Sequence, residues 1–259
     1  MATITELSTE QIRPNRKCIS KMSSSRVIIG WALFEDSSAV LFYPPEPLSS
    51  LYPPKTSGIS TCPAVQHYER RVFHVRSPYT FRIRAIFDNK RWYFYPIYPF
   101  TEMPESSLFD RIQFQPRSSW RDPSKPVLQM LLPYVFVSDE DVFLNQIEAP
   151  CFKSRSWSLI SGRFNIYEWQ RPINWAISWV DTSMDIIVRR GDVLFSLMFE
   201  SNHPGSNVLL HKIPYEGDLK KLVDETKGVS TQTRGTFGLF SIQRRKRTPI
   251  LSTELRRDK

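Results

Sequence analysis

The sequence predicts an all-β protein, a sandwich or barrel with proline-rich loops and one short C-terminal helix. Three observations carry this expectation. Between Val127 and Glu200, short β-branched and aromatic runs follow one another with breaks of only a few residues, the spacing of sandwiches and barrels. The chain has 20 prolines against 9 glycines, and half of the prolines gather in two stretches before those runs, at 44–63 and 101–126, where a missing ladder donor does no harm. Only one late stretch shows clear helical periodicity. The 259 residues, 41% hydrophobic and 13% aromatic, can bury a large core without disulfides or metal.

Taken in order, RVIIGWALF from Arg26 to Phe34 and AVLFY from Ala39 to Tyr43 are expected as a hairpin around the polar break at residues 35–38. Pro44 to Pro63 is too dense in proline and glycine for a sheet and reads as an exposed loop. Pro63 to Arg71 is expected as a short helix with proline at its first position. From Arg71 to Phe87, Phe81 and Ile83 alternate with Arg82 and Arg84, giving one buried and one basic face. Arg91 to Tyr98 is a further strand, which Pro96 places at an edge or bulge.

Residues 101–126 are loop-rich and expected to wrap the outside, with alternation only from Arg111 to Gln115. The strands expected next are Val127–Val137, Asp141–Glu148, Phe152–Ile160, Arg163–Trp169, Ile173–Val180, Asp185–Arg189 and Val193–Glu200. In Glu216 to Lys227, Leu219, Leu222 and Val223 fall at helical spacing before Gly228 and predict a helix against the β body. The organisation expected is therefore an N-terminal extension over 1–25, a single β domain over 26–228 and a flexible basic arm over 229–259.

The formal charge is +9, and seven basic against two acidic residues between 242 and 259 supply +5 of it. Arg244, Arg245, Lys246 and Arg247 are thus candidates for a weak polyanion contact through the tail, against the simpler expectation of a solvated end. Cys18, Cys62 and Cys151 are scattered and odd in number, which suits a reducing compartment. No run of about 18 apolar residues occurs, so neither a membrane span nor a secretory signal is expected. The chain carries no phosphate-binding P-loop, dinucleotide-binding glycine pattern, nucleophile elbow or zinc-binding His-Glu pattern. P-loop hydrolysis is excluded, no cofactor or metal is expected, and His67, His74, His203 and His211 are assigned structural or surface roles.

The densest constellation runs from Ser161 to Glu200. It reads either as a core hairpin with Arg190-Gly191-Asp192 at a turn, or as a pocket in which Arg171 meets an anionic group beneath tryptophans. The candidate binding residues are Trp169, Arg171, Asn174, Trp175, Arg190, Asp192 and Arg234. No catalytic residue is assigned.

Several motifs carry a resemblance. The C-P-A around Cys62, V-R-S-P-Y-T-F-R-I from Val75 to Ile83, W-Q-R-P-I-N-W-A from Trp169 to Ala176 and R-R-G-D-V-L-F from Arg189 to Phe195 resemble an uncharacterised family of tailed-phage and bacterial proteins, over roughly Trp31 to Glu200. That family lends no activity but implies a phage or bacterial setting. Gly191-Asp192 before Val193 to Phe199, with Arg234-Gly235-Thr236-Phe237-Gly238, is similar to the trimeric dUTPase fold, which implies a jelly-roll or β-clip type of sandwich. Asn165 stands where that family requires a carboxylate, and an amide cannot act as a general base. The function expected is a non-catalytic binding or structural protein, phage-related, acting in the cytoplasm of a bacterium or infected cell or associated with a virion, as a homo-oligomer or in a protein assembly. The alternative is a nucleotide-processing enzyme of dUTPase-like architecture.

Overall fold

The computed structural model describes residues 26–34, 42–51, 61–150, 156–202, 206–226 and 249–251. In chain order these form β1 (Arg26–Leu33), β2 (Glu46–Pro47), α1 (Pro63–Glu69), β3 (Val72–Arg76), β4 (Phe81–Asp88), β5 (Arg91–Pro96), α2 (Glu105–Arg111), β6 (Ile112–Phe114) and β7 (Val127–Val137). There follow β8 (Val142–Ile147), β9 (Trp157–Leu159), β10 (Gly162–Asn165), β11 (Pro172–Trp179), β12 (Ile186–Val188), β13 (Val193–Ser201), β14 (Asn207–Lys212) and α3 (Gly217–Thr226). The fold is all-β, with α1, α2 and α3 as short helices among the described residues.

Two larger sheets face each other. The first runs β14-β1-β7-β11-β9, and β6 pairs with β7 on the flank that β1 leaves open; the second runs β10-β8-β13-β3-β2. A third sheet, β12-β4-β5, joins them. The core follows from alternation: along β11, Ile173, Trp175, Ile177 and Trp179 point inward while Asn174, Ala176 and Ser178 are half-exposed. Phe136 of β7 and Phe199 of β13 close the gap between the two larger sheets at 5.6 Å between ring centres. Phe81 of β4 reaches Trp175 at 6.4 Å and ties in the third sheet.

Several expectations are corrected. The described neighbours of β1 are β14, in parallel, and β7, where a hairpin with residues 39–43 is expected. Of that second run, residues 39–41 lie outside the described residues, and Phe42 is buried outside any strand against Tyr79 and Tyr134. The strand expected to reach Trp169 ends at Asn165, whose side-chain oxygen accepts the Tyr167 N–H and turns the chain. β14 and α2 add a strand and a helix to the expected elements. Of the edge or bulge position expected for the strand containing Pro96, the edge is found: among the described residues β5 pairs only with β4.

A second apolar cluster lies on the other side of the first sheet. There Leu219 and Val223 of α3, with Ile213, cover Ala32, Val135 and Val137, and Ile250 and Leu251 complete the cover. Part of the stretch expected as a flexible arm thus carries two buried apolar side chains. Gly30 makes room for them: a Cβ there would stand 2.5 Å from Leu251 Cδ2 and 2.9 Å from Ile213 Cδ1. Among the described residues no helix is long and apolar enough to cross a membrane.

Candidate functional site

The site begins with a proline in a central strand. Pro133 lies inside β7, where it has no N–H to donate, and the β7–β11 register skips between Pro172, opposite Val135, and Asn174, opposite Leu131. This bulge starts β11 with a bend and sets Asn174 beside the preceding residue pair. Arg171 lies with its guanidinium carbon 4.7 Å from the centre of the Trp169 ring. Its Nε–H donates to the Pro172 carbonyl at 3.3 Å. With the Asn174 amide oriented to satisfy its neighbours, the Asn174 side-chain oxygen accepts from Arg171 at 3.3 Å and from Gln129.

Two further elements hold this shelf. Phe164 of β10 packs edge-on to Trp169 at 5.8 Å. Behind the loop, Gln170 is fully buried and donates through Nε2 to the Ile166 and Tyr167 carbonyls, each at 2.7 Å. The Gln170 carbonyl in turn lies 2.8 Å from Thr226 Oγ1 of α3, which shares its proton between this carbonyl and that of Val223 at 2.7 Å. The C-terminal helix thus fixes the backbone that presents Trp169 and Arg171.

Arg171 lacks the carboxylate partner that four other arginines of the β body have. Arg76 is paired with Glu46 at 2.9 Å, Arg82 and Arg84 share Asp185 at 2.5 and 2.7 Å, and Arg163 meets Glu200 at 3.3 Å. Arg171 meets a ring, a carbonyl and an amide, and among the described residues no carboxylate is paired with it. Burial pulls its pKa downward, because taking the guanidinium out of water disfavours its charged form. Such an environment favours an added anion, and a planar fork of donors suits a carboxylate or phosphate.

The structure divides the sequence-predicted candidates. It brings Trp169, Arg171 and Asn174 together, and it places Trp175 on the opposite face of β11, 2% exposed and 4.9 Å from Trp157 in the core. Arg190 and Asp192 sit elsewhere, in the turn between β12 and β13. There Gly191 has φ +87°, the Asp192 carboxylate accepts the Arg189 N–H at 2.8 Å, and Arg190 donates to the Tyr43 hydroxyl at 3.3 Å. Arg76 donates to the Gly191 carbonyl at 2.8 Å, so the turn is tied to β3. Arg234, Arg244, Arg245, Lys246 and Arg247 lie outside the described residues.

Gln129, Gln170 and Thr226 do not stand out in the sequence. Their roles arise from side-chain hydrogen bonds between distant segments, which no local pattern announces; only Pro133, a proline in an apolar run, signals a bulge. His74, expected in a structural or surface role, is a core residue. It is fully buried on β3, with Nδ1 3.0 Å from Ser196 Oγ and Nε2 without a partner. Burial first, then repulsion by Arg76, lowers its pKa to about 4, with Glu46 opposing. Since Ser196 is also fully buried, this His–Ser pair faces no substrate. Among the described residues no three His, Cys, Asp or Glu side chains converge to hold a metal.

No family model matches the chain, and no curated protein matches it either.

Proposed function

We propose that this chain is a non-catalytic binding protein whose ligand presents a carboxylate or phosphate to Arg171. The observation that carries the reading is the pairing pattern: Arg76, Arg82, Arg84 and Arg163 of the β body meet the carboxylates of Glu46, Asp185 and Glu200, whereas the largely buried Arg171 is held on Trp169 by neutral groups. A ring beneath the guanidinium and a hydrogen-bonded amide beside it fix the fork in advance, so little side-chain freedom is lost when an anion arrives. The resemblance in the Trp169–Ala176 and Arg189–Phe195 motifs supports a phage-related setting, and a jelly-roll or β-clip description of the sandwich belongs to the same proposal.

The nucleotide-processing alternative draws no support from Asp192, whose carboxylate closes its own turn. A thermal-shift panel of inorganic phosphate, citrate and nucleoside triphosphates, with and without Mg²⁺, tests both readings. At a hundred times its dissociation constant a ligand adds about 2.7 kcal/mol of stability. A shift with an anion that leaves it chemically unchanged supports binding. Turnover of a nucleotide supports the alternative, and silence across the panel overturns the proposal.

A further inference from the structure

The Arg189-Arg190-Gly191-Asp192 turn between β12 and β13 takes no part in the Arg171 shelf, yet its backbone is pinned on every side. The Arg189 N–H donates to the Asp192 carboxylate at 2.8 Å, that of Arg190 to Thr80 Oγ1 at 3.1 Å and that of Gly191 to the Ser77 carbonyl at 2.8 Å. Arg76 donates to the Gly191 carbonyl, and the Asp192 carbonyl accepts the Ser77 N–H at 2.7 Å. Two adjacent, exposed arginines are thus presented from a backbone with little freedom left to lose on binding.

Each guanidinium rests on a ring from a distant segment. That of Arg189 lies 5.7 Å from the centre of Phe100, and that of Arg190 lies 5.9 Å from the centre of Tyr43, whose hydroxyl accepts its Nε–H at 3.3 Å. The rings are fixed in turn: the Tyr43 carbonyl accepts from the Tyr134 hydroxyl of β7 at 2.6 Å, and Thr101, next to Phe100, accepts through Oγ1 from the Arg82 N–H of β4 at 3.0 Å. Among the described residues neither arginine is ion-paired, and the Asp192 carboxylate faces the N–H of its own turn. Two like charges side by side, without an acid between them, favour a partner with repeated negative charge. On the loop that carries Phe100, Tyr98 is 51% exposed, and its hydroxyl donates to the Met103 carbonyl at 3.2 Å, which lays the ring along the surface.

We propose that this turn and the Tyr98–Phe100 loop bind single-stranded nucleic acid, with Arg189 and Arg190 on backbone phosphates and Tyr98 stacked on an unpaired base. Charge complementarity points to the phosphates, because two pre-set guanidinium forks match phosphate oxygens and release counterions on contact. The rings point to a single strand: aromatic faces beside arginines take stacked bases, which a duplex keeps paired inside. A lipid surface fits less well, since its anchors reach into the acyl boundary, whereas Tyr43 and Tyr98 are tied to the protein surface through their hydroxyls. The site does not rest on the reading of Arg171.

Fluorescence anisotropy of a labelled oligo(dT) of about 20 nucleotides, titrated with the full chain between about 50 and 300 mM salt, tests the site. Arg189→Gln/Arg190→Gln should raise the dissociation constant at least about tenfold at the lowest salt. It should also flatten the slope of log K against log salt by about 1.4, at roughly 0.7 for each phosphate contact. Lys220→Gln/Lys221→Gln, exposed on α3, removes the same charge elsewhere and should leave both unchanged. Tyr98→Leu should weaken oligo(dT) about fivefold or more and leave inorganic polyphosphate, which has no bases, unaffected. No binding at the lowest salt overturns the proposal. Binding that the double arginine variant leaves intact, the result expected of the basic tail alone, overturns it too. Polyphosphate held as tightly as oligo(dT) with no effect of Tyr98→Leu, or phosphatidylserine vesicles bound in place of oligo(dT), overturns it equally.

Discussion

The guanidinium of Arg171 lies 4.7 Å from the centre of the Trp169 ring; Arg171 donates to the Pro172 carbonyl at the bulge, and the Gln170 carbonyl between the two residues faces Thr226 of α3. The ring orients the fork and shields one face of it from water. Trp169→Leu should therefore weaken anion binding by about 1–2 kcal/mol, the range of a partly desolvated cation–π contact. Isothermal titration would measure it, and an unchanged affinity would remove the ring from the site.

The link from α3 to the site gives a second expectation. Thr226 Oγ1 lies 2.8 Å from the Gln170 carbonyl and 2.7 Å from the Val223 carbonyl, which compete for its one proton in a buried setting, so Thr226→Val, which keeps the shape, removes the donor that both share. A loss of about 1–3 kcal/mol is expected in a denaturant melt. Anion affinity should fall with it. Lost stability with unaltered affinity would mean that the helix supports the fold but not the shelf.

Acid should find His74 early. Its pKa is lowered from about 6.5 in the unfolded chain to about 4 in the folded one, so the unfolded state binds the proton first as pH falls. The stability present above pH 6.5 is lost progressively between about 6.5 and 4, by up to about 3 kcal/mol for a shift of this size. His74→Gln should flatten the profile in that window while leaving the steeper loss at lower pH, where carboxylates titrate. Equal slopes for both proteins between pH 6.5 and 4 would contradict this account.

The C-terminal contact is testable by substitution. Leu251 is 4% exposed against Gly30 and the α3 cluster, and Leu251→Ala should destabilise the chain by about 2–4 kcal/mol in urea unfolding. Gly30→Ala forces the Leu251 and Ile213 side-chain ends to move and should cost about 1–3 kcal/mol. The two effects should be less than additive in a double mutant, because both act on one contact. Strict additivity would show that the segment packs elsewhere.

At the tip of the β4–β5 hairpin, Asn89 and Lys90 have φ of 47° and 63°. Asparagine tolerates that region, and lysine does so with strain. Lys90→Gly should raise stability by about 1 kcal/mol, giving the Asn-Gly turn that this hairpin geometry favours. A lower melting temperature in the variant would contradict the turn assignment.

Strand alternation made most of the fold legible. The apolar run of β7 and the inward tryptophans of β11 could be read because each strand has one buried face, and the helix over Gly217–Thr226 because its apolar residues recur at helical spacing. What local pattern does not encode is which strands become neighbours. Arg26–Leu33 has a proper β signal, yet its partners come from residues over 100 positions away in sequence. The same limit applies to the site. Trp169, Arg171 and Asn174 are visible as a ring, a cation and an amide close in sequence, but Trp175, one residue from Asn174, groups with them in the motif although the strand turns it to the other side. A two-residue period separates neighbours that a motif places together.

The most direct test of the proposed function follows the side-chain Nε–H resonance of Arg171, assigned by its loss in Arg171→Gln, while the best anion of the panel is titrated into the full chain. The account predicts a saturable shift of that resonance and of the Trp169 indole at one common dissociation constant, with the thermal shift abolished in Arg171→Gln. An anion that stabilises wild-type and Arg171→Gln protein alike, leaving both resonances unmoved, would contradict it.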